Sequence, residues 1–93
     1  MGEFRVIISE SAQKHLLIIQ KSGDKASIKK VEKIISELYI HPEIGVGNPE
    51  RLKFNLTGLW SRRINQKDRL IYEIENEIVT VTIISALGHY GDK

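Results

Sequence analysis

The sequence predicts an α+β domain of two layers, with elements in the order β-α-α-β-β-β-β and two helices packed on a mostly antiparallel sheet. Three observations carry this prediction. The first half holds two stretches with apolar residues at helical spacing, and the second half holds short alternating stretches separated by turn residues. Between them, residues 43–49 contain Gly45, Gly47 and Pro49, a density of chain breakers found nowhere else in the sequence. Ninety-three residues, 1–93, suffice for one domain and one core.

Each element has its own signature. Phe4, Val6 and Ile8 alternate with Arg5 and Ile7, so 4–8 reads as a strand with one apolar face. Ser9 caps a helix, and Glu10 suits the positive end of its dipole. Ala12, Leu16, Leu17 and Ile19 form the stripe of that helix, and Gly23 supplies a left-handed stop after Ser22. Asp24 caps again. Ile28, Val31, Ile34, Ile35 and Leu38 recur at three- and four-residue steps, which predicts a helix over 25–39. His41-Pro42 ends it, because the residue before a proline is pushed out of the α region.

Leu52, Phe54 and Leu56 then alternate with Arg51, Lys53 and Asn55 in a strand over 51–56, and Thr57-Gly58 is a hairpin turn. A strand over 59–65 places Trp60, Arg62 and Ile64 on one face and Leu59, Ser61 and Arg63 on the other. Strands over 69–75 and 78–85 flank a turn at Asn76-Glu77, with Val79, Val81 and Ile83 as a buried face. Tight turns between the last four strands imply antiparallel pairing. Gly45-Val46-Gly47-Asn48 lacks the spacing and the Lys-Ser/Thr ending of a phosphate-cradling loop.

Composition excludes several chemistries. The absence of cysteine removes disulfides, thiolate metal sites and thiol nucleophiles, and is compatible with a reducing cytosol. His15, His41 and His89 show no metal-ligand spacing, so neither a metal nor another cofactor is expected. No apolar run approaches the length of a membrane span, and no basic-then-apolar leader is visible. Charge is unevenly placed. Residues 45–69 hold six cations (Arg51, Lys53, Arg62, Arg63, Lys67, Arg69) against Glu50 and Asp68, a local +4. The rest, with eight basic and ten acidic residues, is −2, and the two parts give the overall +2. Such a cluster is where a polyanion docks.

Each candidate has two readings. Glu50, an ionised carboxylate among cations, is either a general base or a polar residue opening a strand. His89 with Tyr90 is either a general acid beside a stacking aromatic or an inert tail. Lys53, Arg62 and Arg63 are candidate RNA-binding cations, although Arg62 and Arg63 equally suit a solvated edge that discourages strand pairing. Trp60 suits the core or a base-stacking platform. Together these groups are the parts needed to cleave RNA without metal: a base, cations for the phosphorane and an acid.

The assembly resembles the YoeB (Txe) family of toxins within the broader RelE-like fold. The matching pieces are Gly45-x-Gly47-x-Pro49-Glu50-x-Leu52-Lys53, Asn55-Leu56-Thr57-Gly58-Leu59-Trp60-Ser61-Arg62-Arg63-Ile64-Asn65, Arg69-Leu70-Ile71-Tyr72 and His89-Tyr90. The resemblance implies a cytoplasmic endoribonuclease that cuts messenger RNA in the ribosomal decoding site, in contact with ribosomal RNA. It also implies silencing by an acidic antitoxin of the YefM/Axe kind, and a homodimer. It assigns the base to Glu50, the transition-state arginine to Arg69 and the acid to His89, with Tyr90 orienting the RNA and Lys53 and Arg63 lining the site. Two departures stand out. Phe54 occupies a position where a relative can have histidine, and Gly91-Asp92-Lys93 follows the His-Tyr pair at which relatives commonly stop. Two other classes compete: a non-catalytic RNA- or ribosome-binding module, and an interaction protein whose cationic face receives an acidic peptide.

Overall fold

The structure is a computed structural model and describes residues 3–52 and 58–88. Strand β1 (Arg5–Ile8) leads into helices α1 (Glu10–Lys21) and α2 (Lys25–Leu38). Strands β2 (Glu50–Arg51), β3 (Leu59–Arg63), β4 (Arg69–Glu75) and β5 (Thr80–Ser85) follow, with a short 3₁₀ turn at Asn76–Ile78. The sheet has the order β1-β5-β4-β3-β2. β2 with β3, β3 with β4 and β4 with β5 pair antiparallel. β1 lies parallel to β5, with Arg5 opposite Thr80 and Ile8 opposite Ile83. No tight turn can make a parallel pair, and here the two helices form part of the long connection.

Both helices start as their sequences dictate. The Ser9 hydroxyl accepts the Ala12 N–H at 3.1 Å and donates to the Ile84 carbonyl at 3.0 Å, so one side chain caps α1 and ties it to β5. Asp24 caps α2 by accepting the Ser27 hydroxyl at 2.8 Å and the Ser27 N–H at 3.2 Å. Those bonds hold the Asp24 carboxyl below its usual range. The helices bury Ala12, Ile19, Val31, Ile34 and Leu38 against Leu70, Tyr72, Val81 and Ile83 of the sheet. No helix among the described residues is long and apolar enough to cross a membrane.

Three sequence expectations change. Leu17 is exposed rather than part of the α1 stripe, because Ala12, Leu16 and Ile19 already fill the arc that meets the core. Val79 is exposed and takes a left-handed backbone (φ 49) as the cap of the 3₁₀ turn, so the buried alternation starts only with Val81. β3 ends at Arg63, because Ile64 and Asn65 turn to donate their N–H groups to the Asp68 carbonyl. Of the strand expected over 51–56, Lys53 to Leu56 lie outside the described residues, as does Thr57.

Candidate active site

The sheet face turned away from the helices carries the candidate site. Glu50 stands opposite Ser61 and Ser61 opposite Ile71, one row across β2, β3 and β4. Arg63 and Arg69 oppose each other two positions along. Side chains alternate across a strand, so these five project from the same face. Strands lie about 4.8 Å apart, so Arg69 must reach across β3 to meet Glu50. Its Nη1 comes to 3.9 Å from Glu50 Oε1. The Glu50 side chain is 61% exposed and that of Arg69 24%. An ion pair this open contributes at most about 1 kcal/mol. It leaves the carboxylate open to solvent. Arg63 is exposed beside them, whereas the buried Ser61 hydroxyl has no hydrogen-bond partner among the described residues.

Glu50 sits at the end of the glycine-rich loop, and Arg62 fixes that loop. Arg62 is fully buried, which corrects the expectation that it binds RNA. Its guanidinium is consumed inside the protein. Nε donates to the Tyr72 hydroxyl at 3.1 Å, and Nη1 donates to Glu37 Oε1 at 2.7 Å and the Val46 carbonyl at 3.3 Å. Nη2 donates to the carbonyls of His41 and Ile44, both at 2.8 Å. Tyr72 donates to the Pro42 carbonyl at 2.6 Å, and Glu37 accepts the Val46 N–H at 3.0 Å. A buried charge is tolerated only when paired and hydrogen-bonded in this way.

The loop also touches the sheet directly. The Arg63 N–H donates to the Gly47 carbonyl at 2.7 Å, and a Cβ on Gly47 (φ 82) would lie 2.9 Å from the Arg63 carbonyl oxygen. Only glycine allows that approach. The cluster perturbs its own ionisation. Burial pushes the Glu37 carboxyl up, but the Val46 N–H and Arg62 outweigh it and hold the group below its usual range. Burial raises the Tyr72 hydroxyl, and Arg62 only partly opposes this.

The end of the described chain is fastened to the start of β4. The Gly88 N–H donates to Asp68 Oδ1 at 3.0 Å, and its carbonyl accepts the Arg69 N–H at 3.1 Å. His15 of α1 accepts the Ala86 N–H through Nδ1 at 3.1 Å, which gives that histidine a structural task.

The structure thus brings Glu50, Arg63 and Arg69 together and removes Arg62. Lys53, His89 and Tyr90 lie outside the described residues. Arg51 points elsewhere, its guanidinium 5.9 Å from the centre of the Trp60 ring, and Trp60 packs against the core. Among the described residues, no group of three His, Cys, Asp or Glu could hold a metal ion. Sequence reasoning missed Glu37, Asn65 and Asp68. One signal was visible: Glu37 is an acid in the last turn of a helix, where the dipole disfavours negative charge.

A family model described as the YoeB-like toxin of bacterial type II toxin-antitoxin systems matches residues 9–90. A toxin YoeB of Synechocystis is 41% identical over 70 residues, covering 75% of this chain and 79% of the relative. A solved YoeB dimer from Staphylococcus aureus superposes with a TM-score of 0.79 at 32% identity, covering 96% of this chain and 100% of that one. A heterotetrameric YoeB-YefM toxin-antitoxin complex from the same species gives 0.76 at 32% identity, with the same coverage of 96% and 100%. These matches span both helices and the strands that carry Glu50, Arg63 and Arg69, and the chain belongs to the YoeB-like toxin family of bacterial type II toxin-antitoxin systems.

Proposed function

We propose that this toxin is an endoribonuclease that cuts messenger RNA held on the ribosome, through side chains alone and without a metal. The observation that carries the reading is the Glu50–Arg69 pair, 3.9 Å apart on an open face, with Arg63 opposite Arg69. A binding surface needs cations and has no use for a carboxylate that repels phosphate. A transesterification needs both. Glu50 takes the proton of a ribose 2′-hydroxyl, and the 2′-oxygen attacks the adjacent phosphorus. Arg69, with Arg63 and Lys53, stabilises the negative charge that grows on the non-bridging oxygens. The bond from phosphorus to the 5′-oxygen breaks, and that oxygen receives a proton from His89. The products are a 2′,3′-cyclic phosphate and a 5′-hydroxyl. Tyr90 stacks on a base and orients the RNA.

Ribosome-bound messenger is the preferred substrate, because a codon held against ribosomal RNA presents its phosphate in a fixed position. The YefM complex of a Staphylococcus aureus relative supports an antitoxin partner, and the dimer of that relative supports self-association; the antitoxin of this reading is acidic and folds across the Lys53–Arg69 surface, drawn by the local +4. The test is single-turnover cleavage on programmed ribosomes in the wild type and Glu50→Gln. Loss of the base is expected to slow cleavage about 10²–10⁴-fold with binding retained. Wild-type cleavage by Glu50→Gln would overturn the base assignment, and a wild-type protein that stalls translation without cutting the message would leave a non-catalytic ribosome binder as the better description.

A further inference from the structure

We propose that Ser61 is a positioning residue for the base: when Arg69 turns to the phosphate, the Ser61 hydroxyl donates to the Glu50 carboxylate and keeps it in place. The inference rests on the endoribonuclease reading and on Glu50 as the base. Ser61 is 1% exposed, and its Oγ has no hydrogen-bond partner among the described residues. A buried hydroxyl in that state costs free energy that an alanine at the same position would not. The resting protein therefore carries a donor that its own fold does not use.

The register of the sheet limits what that donor can reach. Glu50 stands directly opposite it on β2, and Ile71 on β4. Leu59 and Arg63 are its neighbours along β3 on the same face. The diagonal positions on β4 hold Glu73 and Arg69. Leucine and isoleucine accept nothing, and an arginine only donates. Two acceptors remain, Glu50 and Glu73. Directly opposed side chains start about 4.5–5.5 Å apart and diagonal ones about 2 Å farther, so Glu50 is the nearer of the two.

In the free protein Glu50 is drawn to another partner. Arg69 Nη1 lies 3.9 Å from Glu50 Oε1, and the span between them crosses β3 between Ser61 and Arg63. At that distance the two groups attract through charge without a hydrogen bond. A phosphate gives Arg69 a stronger partner, because its oxygens match the guanidinium fork. Once Arg69 takes it, the Glu50 carboxylate folds back over β3 to the hydroxyl opposite. One carboxylate oxygen then accepts the Ser61 O–H, and the other takes the proton of the ribose 2′-hydroxyl. A hydrogen bond to an ionised acceptor is roughly twice as strong as a neutral one. The idle hydroxyl of the resting toxin is thus satisfied only in the reacting one.

The test pairs unfolding with cleavage. In urea, Ser61→Ala should unfold at a midpoint equal to or above that of wild type, because it removes an unsatisfied group. On programmed ribosomes its single-turnover rate should fall about 10–100-fold at unchanged ribosome affinity. Ser61→Cys, close in size but a weak donor, should cut at a rate between those of Ser61→Ala and wild type. Added to Glu50→Gln, Ser61→Ala should slow the residual cleavage by less than about twofold, since residues that act as one unit are not additive. A lowered urea midpoint for Ser61→Ala would mean that the hydroxyl already has a structural partner, and overturns the proposal. Full-rate cleavage by Ser61→Ala, or an equal loss with and without Glu50→Gln, overturns it as well. Wild-type protein that cuts no message overturns the endoribonuclease reading instead, and Glu50→Gln that cuts at the wild-type rate overturns the base assignment.

Discussion

Arg62 and Arg63 are neighbours on β3 and lie on opposite faces of it. Arg63 is exposed on the face that carries Glu50 and Arg69. Arg62 is fully buried among Tyr72, Glu37 and three loop carbonyls. The difference is one of alternation, since a step of one residue along a strand reverses the side chain. It shows that charge counted along a sequence does not measure a surface. Arg62 contributes to the local +4 in the sequence but is neutralised internally by Glu37, 2.7 Å away. Its influence on the site is mechanical. It holds the loop that delivers Glu50, while Arg63 is left exposed to solvent.

The comparison is most sharply broken by removing Arg62. Arg62→Met strands Glu37 and the loop carbonyls, and should destabilise the fold by about 3–5 kcal/mol in urea unfolding. Arg62→Lys should rescue little, because an ammonium lacks the planar fork that serves several acceptors. A loss below about 1 kcal/mol would mean that the loop is held by something else.

Glu37→Gln comes next, expected to cost about 1.5–3 kcal/mol at neutral pH. The Glu37 pKa is depressed in the folded protein, so its contribution is complete above the usual carboxylate range and is lost as pH falls through the folded value. Unfolding free energy measured against pH should therefore drop less steeply on acidification in Glu37→Gln than in wild type. Parallel acid limbs would remove Glu37 from the account.

Tyr72→Phe should cost less, about 1–2 kcal/mol, because the Pro42 carbonyl and Arg62 Nε each lose a single partner. Its Glu50-dependent cleavage should slow while ribosome affinity holds. Arg63→Ala should be the mildest for the fold, within about 0.5 kcal/mol of wild type. Its effect should appear in binding, where the slope of log affinity against log salt for single-stranded RNA should shrink by about 0.7. A stability loss comparable to that of Arg62→Met would erase the distinction between the two arginines.

Much of the fold was legible because local rules agreed with the global one. The caps Ser9 and Asp24, the apolar spacing of α2 and the alternation of β4 each point to what is observed. The placement of Arg62 was legible too, since alternation set it beside Trp60 and Ile64 on the apolar face. Its charge argued for the surface, and only the acceptors of a folded loop could reverse that argument. Those acceptors come from residues 37–46 and Tyr72, and nothing in sequence spacing announces them. The Asn65–Asp68 turn and its hold on Gly88 were hidden for the same reason: the bond joins β4 to a segment beyond β5. Val79 shows the opposite failure. Its side chain suits a strand, yet the 3₁₀ turn left it with a backbone that β-branched residues rarely adopt.

The parallel pairing of β1 with β5 bears on how the molecule is made. β5 lies between β1 and β4 in the sheet yet is the last of the five strands to be synthesised. Until it emerges, β1 has no neighbour to pair with, and Val81 and Ile83 are missing from the core that α1 and α2 must cover. Pairings between distant parts of a chain also form slowly. A nascent chain halted before Thr80 therefore holds Glu50, Arg63 and Arg69 without a finished sheet to array them. The face that carries these three side chains is therefore arrayed only after β5 has been made.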